Sequence, residues 1–291
     1  MNYELGCRLP LEEWLWLNQV GAFEDPSLRR YVSPFPPPEL MHNVSGLRSE
    51  RDFASHGAYI FQALSRASQR PLAEYDSLLD FGCGCGRLAR MFKGHPRGIL
   101  GCDIDQRHVQ WMQANLDFVK ASLSRVRPPL PYADAQFDGI IGISVFTHLN
   151  EASQDEFLEE LRRVSKPDAV LFLTVHGQRA LERSLSEQKI RDMIAVPEQP
   201  FCRAQRDFAA GRHAFILQHG HLTQTGTRPI HRWRRLLLGR RVLVPESFEY
   251  GITFLPEDYL RRHWSRWFEI ADYRHGAITD FQDIVVLRPR T

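Results

Sequence analysis

A glycine-rich loop between two apolar segments is the feature that most restricts how this chain can fold. The apolar run 78–81 leads directly into three glycines at alternate positions, Gly82, Gly84 and Gly86. An apolar run that ends in glycines is typical of a buried parallel strand entering a tight turn. Glycine suits such a turn because it accepts positive φ angles and lets a ligand or a neighbouring helix approach the backbone closely.

The residues after the loop continue this pattern. Residues 87–92 are predicted to begin a helix, and residues 98–102 to form a second strand that ends at Asp103. In doubly wound folds an acid at this place, roughly 20 residues after the glycines, holds the ribose of a nucleotide. The glycine spacing is G-x-G-x-G, whereas a dinucleotide pyrophosphate favours G-x-G-x-x-G, so a dehydrogenase is the second interpretation of this stretch.

The segments DFGCGCG (80–86) and GCDID (101–105) resemble the first two motifs of the class I S-adenosylmethionine-dependent methyltransferases. The resemblance implies S-adenosylmethionine as the cofactor. In that family the glycine loop passes under the methionine part of the cofactor, and the acid that ends strand 2 binds both ribose hydroxyls. Carried over to this chain, the resemblance implies that Asp80, Gly82, Gly84 and Gly86 line the methionine end and that Asp103 holds the ribose. We also expect Cys83, Ile104 and Ser144 to bind the cofactor. After strand 3 this sequence lacks the acidic or amide side chain of many methyltransferases, so adenine contacts are left to backbone groups or to Ser124.

The same resemblance implies an α/β fold, a doubly wound, Rossmann-like sheet of seven strands that is mostly parallel and has an antiparallel strand at the C-terminus. The apolar runs predict further strands at 118–123, 139–145 and 170–175. A capping box that begins at Ser153 predicts the helix 154–165, and Asp168 is expected to supply the turn that follows it.

Four segments follow from this assignment. Residues 71–177 and 251–291 are expected to form the cofactor-binding domain. Residues 1–70 form an N-terminal helical and proline-rich cap, and residues 178–250 form an insertion after strand 5 that serves as a lid or substrate wall. The resemblance is carried by specific motifs over 71–176 and by architecture alone over 251–291.

The cap has its own local signals. Residues 11–20 are predicted to be a short helix, and the proline run 34–38 an extended segment, because proline cannot continue a helix. Ser49 and Asp52 form a capping box that predicts a longer helix leading to strand 1. The aromatic side chains of the cap either pack on the core or form a wall of the acceptor pocket, and the sequence leaves both open.

Two histidines are candidates for a catalytic base. In open α/β sheets ligands bind at the carboxyl ends of the strands, and His148 and His176 follow predicted strands 4 and 5. A hydroxyl acceptor benefits from a base, and the ordinary pKa of histidine lies near neutral pH. His148 is the first candidate and His176 the second. A structural role for His148, with catalysis by proximity alone, is the alternative.

Composition excludes several classes of protein. The chain has 291 residues, is 43% hydrophobic, and carries a formal charge of +2, so no global field favours nucleic acid. Its five cysteines include no C-x-x-C pair, which argues against a disulfide framework and a structural zinc site, and no metal is expected. There is no basic start followed by an apolar segment, and no run of 18 apolar residues, so we expect a cytoplasmic protein without a membrane partner. Oligomeric state cannot be derived from the sequence.

The acceptor is predicted by the motifs that are missing after strand 4. There is no Asn/Asp-Pro-Pro-aromatic motif of adenine-amine methyltransferases, no Pro-Cys pair, no paired acids as in arginine methyltransferases, and no evident catechol-type magnesium pair. We therefore expect a small-molecule acceptor, a natural product, lipid or saccharide, methylated on oxygen first and on nitrogen second. The alternatives are an RNA methyltransferase that uses the arginines of 232–241, and a non-catalytic protein that binds the cofactor.

Overall fold

The computed structural model describes residues 8–218 and 248–290, and a seven-stranded sheet lies at its centre. The strands, numbered along the chain, are β1 (Leu78–Phe81), β2 (Ile99–Asp103), β3 (Val119–Leu123), β4 (Phe137–Gly142), β5 (Ser165–Val175), β8 (Phe268–Ile278) and β9 (Gln282–Pro289). A separate antiparallel pair is formed by β6 (Ala214–Leu217) and β7 (Gly251–Phe254).

The order of the main sheet is β3-β2-β1-β4-β5-β9-β8. Strands β1 to β5 are parallel, and β9 is antiparallel to both of its neighbours. The fold class predicted from the sequence is thereby confirmed. Strands β1 to β3 are added toward one side of the sheet, and β4 and β5 toward the other, so the strand order reverses between β1 and β4. In open α/β sheets, ligands bind in the crevice outside the carboxyl ends of the strands at such a point.

Ten helices surround the sheet within the described residues. They are α1 (Leu11–Trp16), α2 (Ala22–Glu24), α3 (Pro38–Ser45), α4 (Glu50–Ala67), α5 (Gln106–Asn115), α6 (Glu151–Val164), α7 (Gln178–Ser186), α8 (Gln188–Ile194), α9 (Glu198–Ala209) and α10 (Glu257–His263). A π-helical turn, Leu17–Gly21, joins α1 to α2, and single 3₁₀ segments include Pro26–Tyr31 and Ala89–Phe92. Within the described ranges, none of the helices has both the length and the apolarity to cross a bilayer.

Successive strand residues feed two hydrophobic cores, one on each face of the sheet. Leu79, Ile140 and Leu171 belong to the core that α6 and α10 cover, whereas their neighbours Leu78, Ile141 and Phe172 belong to the core under α4 and α5. This alternation is the period of two that a strand covered on both faces requires. The layered arrangement leaves the strand ends as the place where polar side chains gather.

The segment after the glycine loop differs from the predicted helix. The chain passes through turns and forms only the short 3₁₀ segment Ala89–Phe92, which Lys93 ends in an extended conformation. The three loop glycines all have positive φ, and the residues after them form turns before the 3₁₀ segment. The apolar pattern of 87–92 is satisfied by burial in this short element instead.

Three further boundaries were predicted wrongly. β4 ends at Gly142 because Ser144 has a φ of 58°, which a continuing strand does not allow. α6 begins at Glu151 with Asn150 as its cap, so Ser153 receives the cap with its backbone N–H and does not supply it. β5 begins at Ser165 directly after α6, so Asp168 lies within the strand, at an irregularity in its pairing with β4.

The cap follows the sequence closely, with one exception. Ser49 caps α4 and accepts a hydrogen bond from the Asp52 N–H. The proline run is extended only as far as Pro37. Pro38 is the first residue of α3, a helix position that proline tolerates well. The buried indole of Trp14 donates to the Met91 carbonyl at 2.9 Å, which supports the packing role for this aromatic residue.

Gly57 lies inside α4, where alanine is ordinarily preferred by about 1 kcal/mol. A Cβ atom at Gly57 would overlap the backbone carbonyl oxygen of Arg87, which has no freedom to rotate away. We expect Gly57→Ala to lower the free energy of unfolding by about 1–3 kcal/mol, the usual cost of overpacking, despite the gain in helix propensity. Urea denaturation measures it. Arg66→Ala, on the exposed side of the same helix, is the control and should be neutral or stabilising. An unchanged midpoint for Gly57→Ala would contradict the close packing of α4 on Arg87.

Candidate active site

The glycine loop forms one wall of the crevice at the carboxyl ends of β1 and β2. Gly82, Gly84 and Gly86 have φ angles of 75°, 53° and 85°. The Gly84 N–H donates to Asp103 Oδ2 at 2.8 Å, so the loop and the end of β2 are joined directly. A Cβ on Gly84 would lie 2.7 Å from a methyl of Val44 in α3, so another residue at this position would both strain the backbone and displace α3.

Asp103 stands at the end of β2 with its carboxylate directed by backbone donors. Oδ2 accepts from Gly84, and Oδ1 accepts from the Asp105 N–H at 2.8 Å. The residue is only partly buried. Each carboxylate oxygen has two lone pairs, so both can still accept a hydroxyl of a bound ligand. The geometry of the Asp103 carboxylate suits hydrogen bonds from the two hydroxyls of a 1,2-diol.

Asp80 lies near the carboxyl end of β1, and its side chain is buried, with 2% of the residue exposed. Its Oδ2 has no hydrogen-bond partner within the described residues. Burial raises the pKa of Asp80 to about 7, the Arg87 guanidinium opposes this shift, and the Asp103 carboxylate adds to it. A buried carboxyl oxygen without a partner is costly, so a cationic or N–H donor from a ligand would satisfy it.

The remaining residues predicted to bind cofactor lie along the same edge, but they differ in what they present. Ile104 is partly buried, and the Ser124 N–H donates to the Asp103 carbonyl at 2.9 Å. Ser144 is held by the Thr174 hydroxyl, which accepts from its N–H at 2.7 Å, and by the Gln282 amide, which donates to its hydroxyl at 2.9 Å. The Cys83 side chain joins the hydrophobic core, where burial raises the pKa of its thiol well above the ordinary value. Cys83 can therefore offer a ligand its backbone but not a thiolate.

His148 lies in the turn after β4 and is partly buried. Its Nδ1 donates to the Gly251 carbonyl at 2.8 Å, and its ring stacks on Tyr250 with centroids 4.7 Å apart and planes 16° from parallel. In a neutral imidazole with the proton on Nδ1, Nε2 carries the lone pair. Tyr250 and Gly251 thus fix both the tautomer and the plane of this histidine.

His176, at the end of β5, is in a different environment. It is 3% exposed, and its ring packs against Phe281 and Phe254 with centroid distances of 4.9 Å and 5.7 Å. Burial, followed by the nearby His148, lowers the pKa of His176 to about 3, so it stays neutral. Its Nδ1 has no hydrogen-bond partner among the described residues.

The N-terminal cap covers the glycine loop. Val44 of α3 packs on Gly84, and the Leu40 carbonyl accepts from the Cys85 thiol at 3.5 Å. Below this contact, two buried cations hold the chain that precedes α3. Arg90 donates to the Ser33 carbonyl at 2.5 Å, and Lys93 donates to the Val32 carbonyl at 3.2 Å.

A family model described as a methyltransferase domain matches residues 79–173, about a third of the chain, from β1 to β5. The match includes the glycine loop, Asp103 and His148.

The chain contains a methyltransferase domain over residues 79–173. Three solved structures are similar to the chain in fold. The PH0226 protein from Pyrococcus horikoshii OT3 is 15% identical and covers 83% of this chain and 92% of its own, with a TM-score of 0.53. The [4+2]-cyclase SpnF is 15% identical, with coverages of 87% and 92% and a TM-score of 0.50. An S-adenosylmethionine-dependent methyltransferase from Methanosarcina mazei is 17% identical, with coverages of 74% and 93% and a TM-score of 0.46.

The methyltransferase uses S-adenosylmethionine, which supplies an electrophilic methyl group on a sulfonium sulfur. The crevice fits this cofactor on two observations. The unpartnered Oδ2 of Asp80 suits the α-amino group of the methionine part, and the outward lone pairs of Asp103 suit the ribose hydroxyls. The glycine loop between them leaves backbone, without side chains, for close approach.

The arginines of 232–241 lie outside the described residues, as do His219, His221 and His231. His213 is partly buried beside Tyr259, and burial lowers the pKa of His213 to about 4. In the ranges 8–218 and 248–290, no three His, Cys, Asp or Glu side chains group as metal ligands would.

Sequence reasoning missed the residues that come to the crevice from far along the chain. Tyr250 and Gly251 reach His148 through β7, whose Thr253 N–H donates to the Thr147 carbonyl at 2.9 Å. Gln282 reaches Ser144 from the start of β9. Local patterns carry no information on these pairings. Residues 250–254 have a strand-like pattern, but the sequence does not show that they pair with β6 and bridge to Leu149 and His176.

The raised pKa of Asp80 predicts a pH dependence of cofactor binding. In the free methyltransferase the Asp80 carboxyl is protonated below about pH 7. The ammonium of the cofactor favours the carboxylate, so binding below that pH must release the proton. We expect the affinity for S-adenosylhomocysteine to be constant above pH 7 and to fall by up to about tenfold for each unit below it. Calorimetric titration between pH 5 and 8 measures this. Asp80→Asn should bind more weakly and lose the dependence. If the parent and the variant share one pH profile, Asp80 does not hold the ammonium.

Proposed function

We propose that this methyltransferase methylates a hydroxyl group of a small-molecule acceptor, with His148 as the general base and with an amine as the second acceptor class. The observation that carries the proposal is the hydrogen bond from His148 Nδ1 to the Gly251 carbonyl. This bond favours the tautomer in which Nε2 can accept the hydroxyl proton as the oxygen attacks the methyl group. His148 also lies at the carboxyl edge of the sheet, as do Asp80 and Asp103.

The environment of the two histidines supports His148 over His176 as the base. A base must hold a positive charge after it has taken the proton. His176 is enclosed by aromatic rings and its pKa of about 3 opposes protonation. His148 is partly open, and its imidazolium would gain from the Gly251 carbonyl and from the face of Tyr250. On this proposal, His176 shapes the pocket wall behind His148.

The acceptor pocket is proposed to draw on three parts of the chain. The turn after β4 supplies His148, and residues 178–250 contribute Tyr250 next to it. The cap, residues 1–70, encloses the cofactor side through α3. The cofactor-binding residues are shared between 71–177 and the C-terminal part, 251–291, through Gln282. The turn after β4 lacks the motifs of nucleic-acid and protein methyltransferases, and this absence favours a natural product, lipid or saccharide as the acceptor.

A panel of acceptors tests this proposal. Phenols, aliphatic alcohols, sugars and primary amines are incubated with labelled S-adenosylmethionine, and label transfer and S-adenosylhomocysteine release are measured. Structured RNA at low and at high salt forms a further arm, because phosphate contacts weaken steeply with salt. Transfer to a hydroxyl compound supports the proposal. Salt-sensitive transfer to RNA alone, or cofactor binding with no transfer to any acceptor, would favour the alternative functions.

A further inference from the structure

His108 is a buried histidine next to the carboxylate that ends β2. It is the third residue of α5, is 6% exposed, and neither of its ring nitrogens has a hydrogen-bond partner within the described residues. An imidazole that is buried without hydrogen bonds costs stability, since water no longer solvates it. The hydrophobic cores on the two faces of the sheet are formed by apolar side chains, so core packing does not explain an imidazole here.

The ring lies between two carboxylates. Nδ1 is 3.6 Å from Asp103 Oδ1, and Nε2 is 3.7 Å from Asp105 Oδ2. Both distances are slightly longer than hydrogen bonds, so a small movement of either acid would close them. The two acids are also joined directly, because Asp103 Oδ1 accepts from the Asp105 N–H.

The two acids are not equally supported by other groups. Asp105 forms a close ion pair with the Arg107 side chain, and it also accepts from the Arg107 N–H at 2.9 Å. Asp103 has backbone donors on its oxygens, and His108 is the one cationic or N–H side chain that the described contacts place within 4 Å of it. Beyond its two backbone donors, Asp103 therefore has His108 as the neighbouring side chain that can restrain its carboxylate, whereas Asp105 also has Arg107.

We propose that His108 is a positioning residue for the cofactor: its ring holds Asp103 so that both carboxylate oxygens face the two ribose hydroxyls. His108 acts through Asp103 and does not touch the cofactor. The proposal rests on the assignment of Asp103 to the ribose. Groups that orient a ligand-binding side chain commonly contribute about 10- to 100-fold in affinity, as they do behind metal ligands.

The test uses two ligands that differ in one hydroxyl, S-adenosylhomocysteine and its 2′-deoxy analogue, titrated calorimetrically into the full chain. The parent should prefer S-adenosylhomocysteine clearly, because a site built for a hydroxyl penalises its loss. His108→Leu should bind S-adenosylhomocysteine about tenfold more weakly and lose less affinity for the 2′-deoxy analogue, which keeps only the 3′-hydroxyl for Asp103 to hold, so the preference should fall. His108→Gln keeps a donor and should restore part of it.

Three controls separate the possible outcomes. Arg107→Gln disturbs Asp105 but not the contact of His108 with Asp103, so the ligand preference should persist. Equal weakening of both ligands in His108→Leu, or no weakening at all, overturns the proposal. If His108→Leu does not fold, His108→Asn takes its place, because its shorter amide cannot reach both acids. A preference in His108→Asn equal to that of the parent overturns the proposal. Parent-like affinity in Asp103→Ala would instead refute the ribose assignment itself.

Discussion

Replacing Asp103 by alanine is expected to weaken the binding of S-adenosylhomocysteine by about 100-fold or more. Two charge-assisted hydrogen bonds from the ribose hydroxyls would be lost, each contributing about 1.5–3 kcal/mol, and each 1.4 kcal/mol is a factor of ten. The loss also removes the acceptor of the Gly84 N–H, so the glycine loop would become less ordered. Calorimetric titration gives the dissociation constant, and a melting curve shows whether the variant is folded.

Asp168→Ala is the matched control for this experiment. Asp168 is an exposed acid near the start of β5, at the opposite edge of the sheet from Asp103. The same charge is removed without a change in the crevice, so the affinity should stay within about twofold, since exposed surface charges contribute little. If Asp103→Ala bound as tightly as the parent while the protein remained folded, the crevice would hold the cofactor in another orientation. Tight binding of a nicotinamide dinucleotide by the parent would point to that second interpretation.

Replacing His148 by alanine is expected to lower turnover on a hydroxyl acceptor by about 10²- to 10⁴-fold, the usual contribution of a general base. The affinity for S-adenosylhomocysteine should change little, because the side-chain contacts described for His148 are with Tyr250 and Gly251, which are not assigned to the cofactor. Single-turnover methylation at saturating cofactor measures the chemical step. The split between an unchanged dissociation constant and a reduced rate is what distinguishes a base from a residue that shapes the fold.

His275→Ala provides the comparison for the loss of an imidazole. His275 is largely exposed on β8, with Glu257 3.2 Å from its Nε2. Its removal should leave both rate and affinity close to those of the parent. Unchanged methylation in His148→Ala would show that proximity and orientation alone drive the transfer, and an amine acceptor would then be favoured. A lower rate that is accompanied by a lower melting temperature would indicate that the stacked pair of His148 and Tyr250 is structural.

The sequence predicted the fold because its main determinants are local. The apolar run at Leu78 and Leu79, which suits a strand covered on both faces, is readable along the chain, and the glycine loop and the acid that ends β2 appear in their expected order. The boundaries failed where a single backbone geometry decided them. The left-handed φ of Ser144 ends β4, and nothing in its side chain announces this, since serine is not a residue that prefers that region.

The candidate site was predictable only where motifs lie next to one another in sequence. Asp80 and Asp103 meet at the same edge because parallel strands align their carboxyl ends. The contact of His148 with Gly251 joins positions 103 residues apart through a strand pair outside the main sheet, and no periodicity predicts it. The sequence did contain His108, but a histidine on a helix is usually exposed, and only the structure shows its ring between two acids.

The cations beneath the cap set a lower limit on the part of this chain that can be produced alone. Arg90 is 1% exposed and Lys93 4%, and the acceptors that the structure gives them are the carbonyls of Arg30, Val32 and Ser33. A fragment trimmed to 79–173 would leave both charges without these acceptors. It would also expose the surface on which α3 packs. It would also lack β8 and β9, which complete the sheet beyond β5. We therefore expect a fragment that folds on its own to reach from before residue 30 to the end of β9, which is nearly the entire polypeptide.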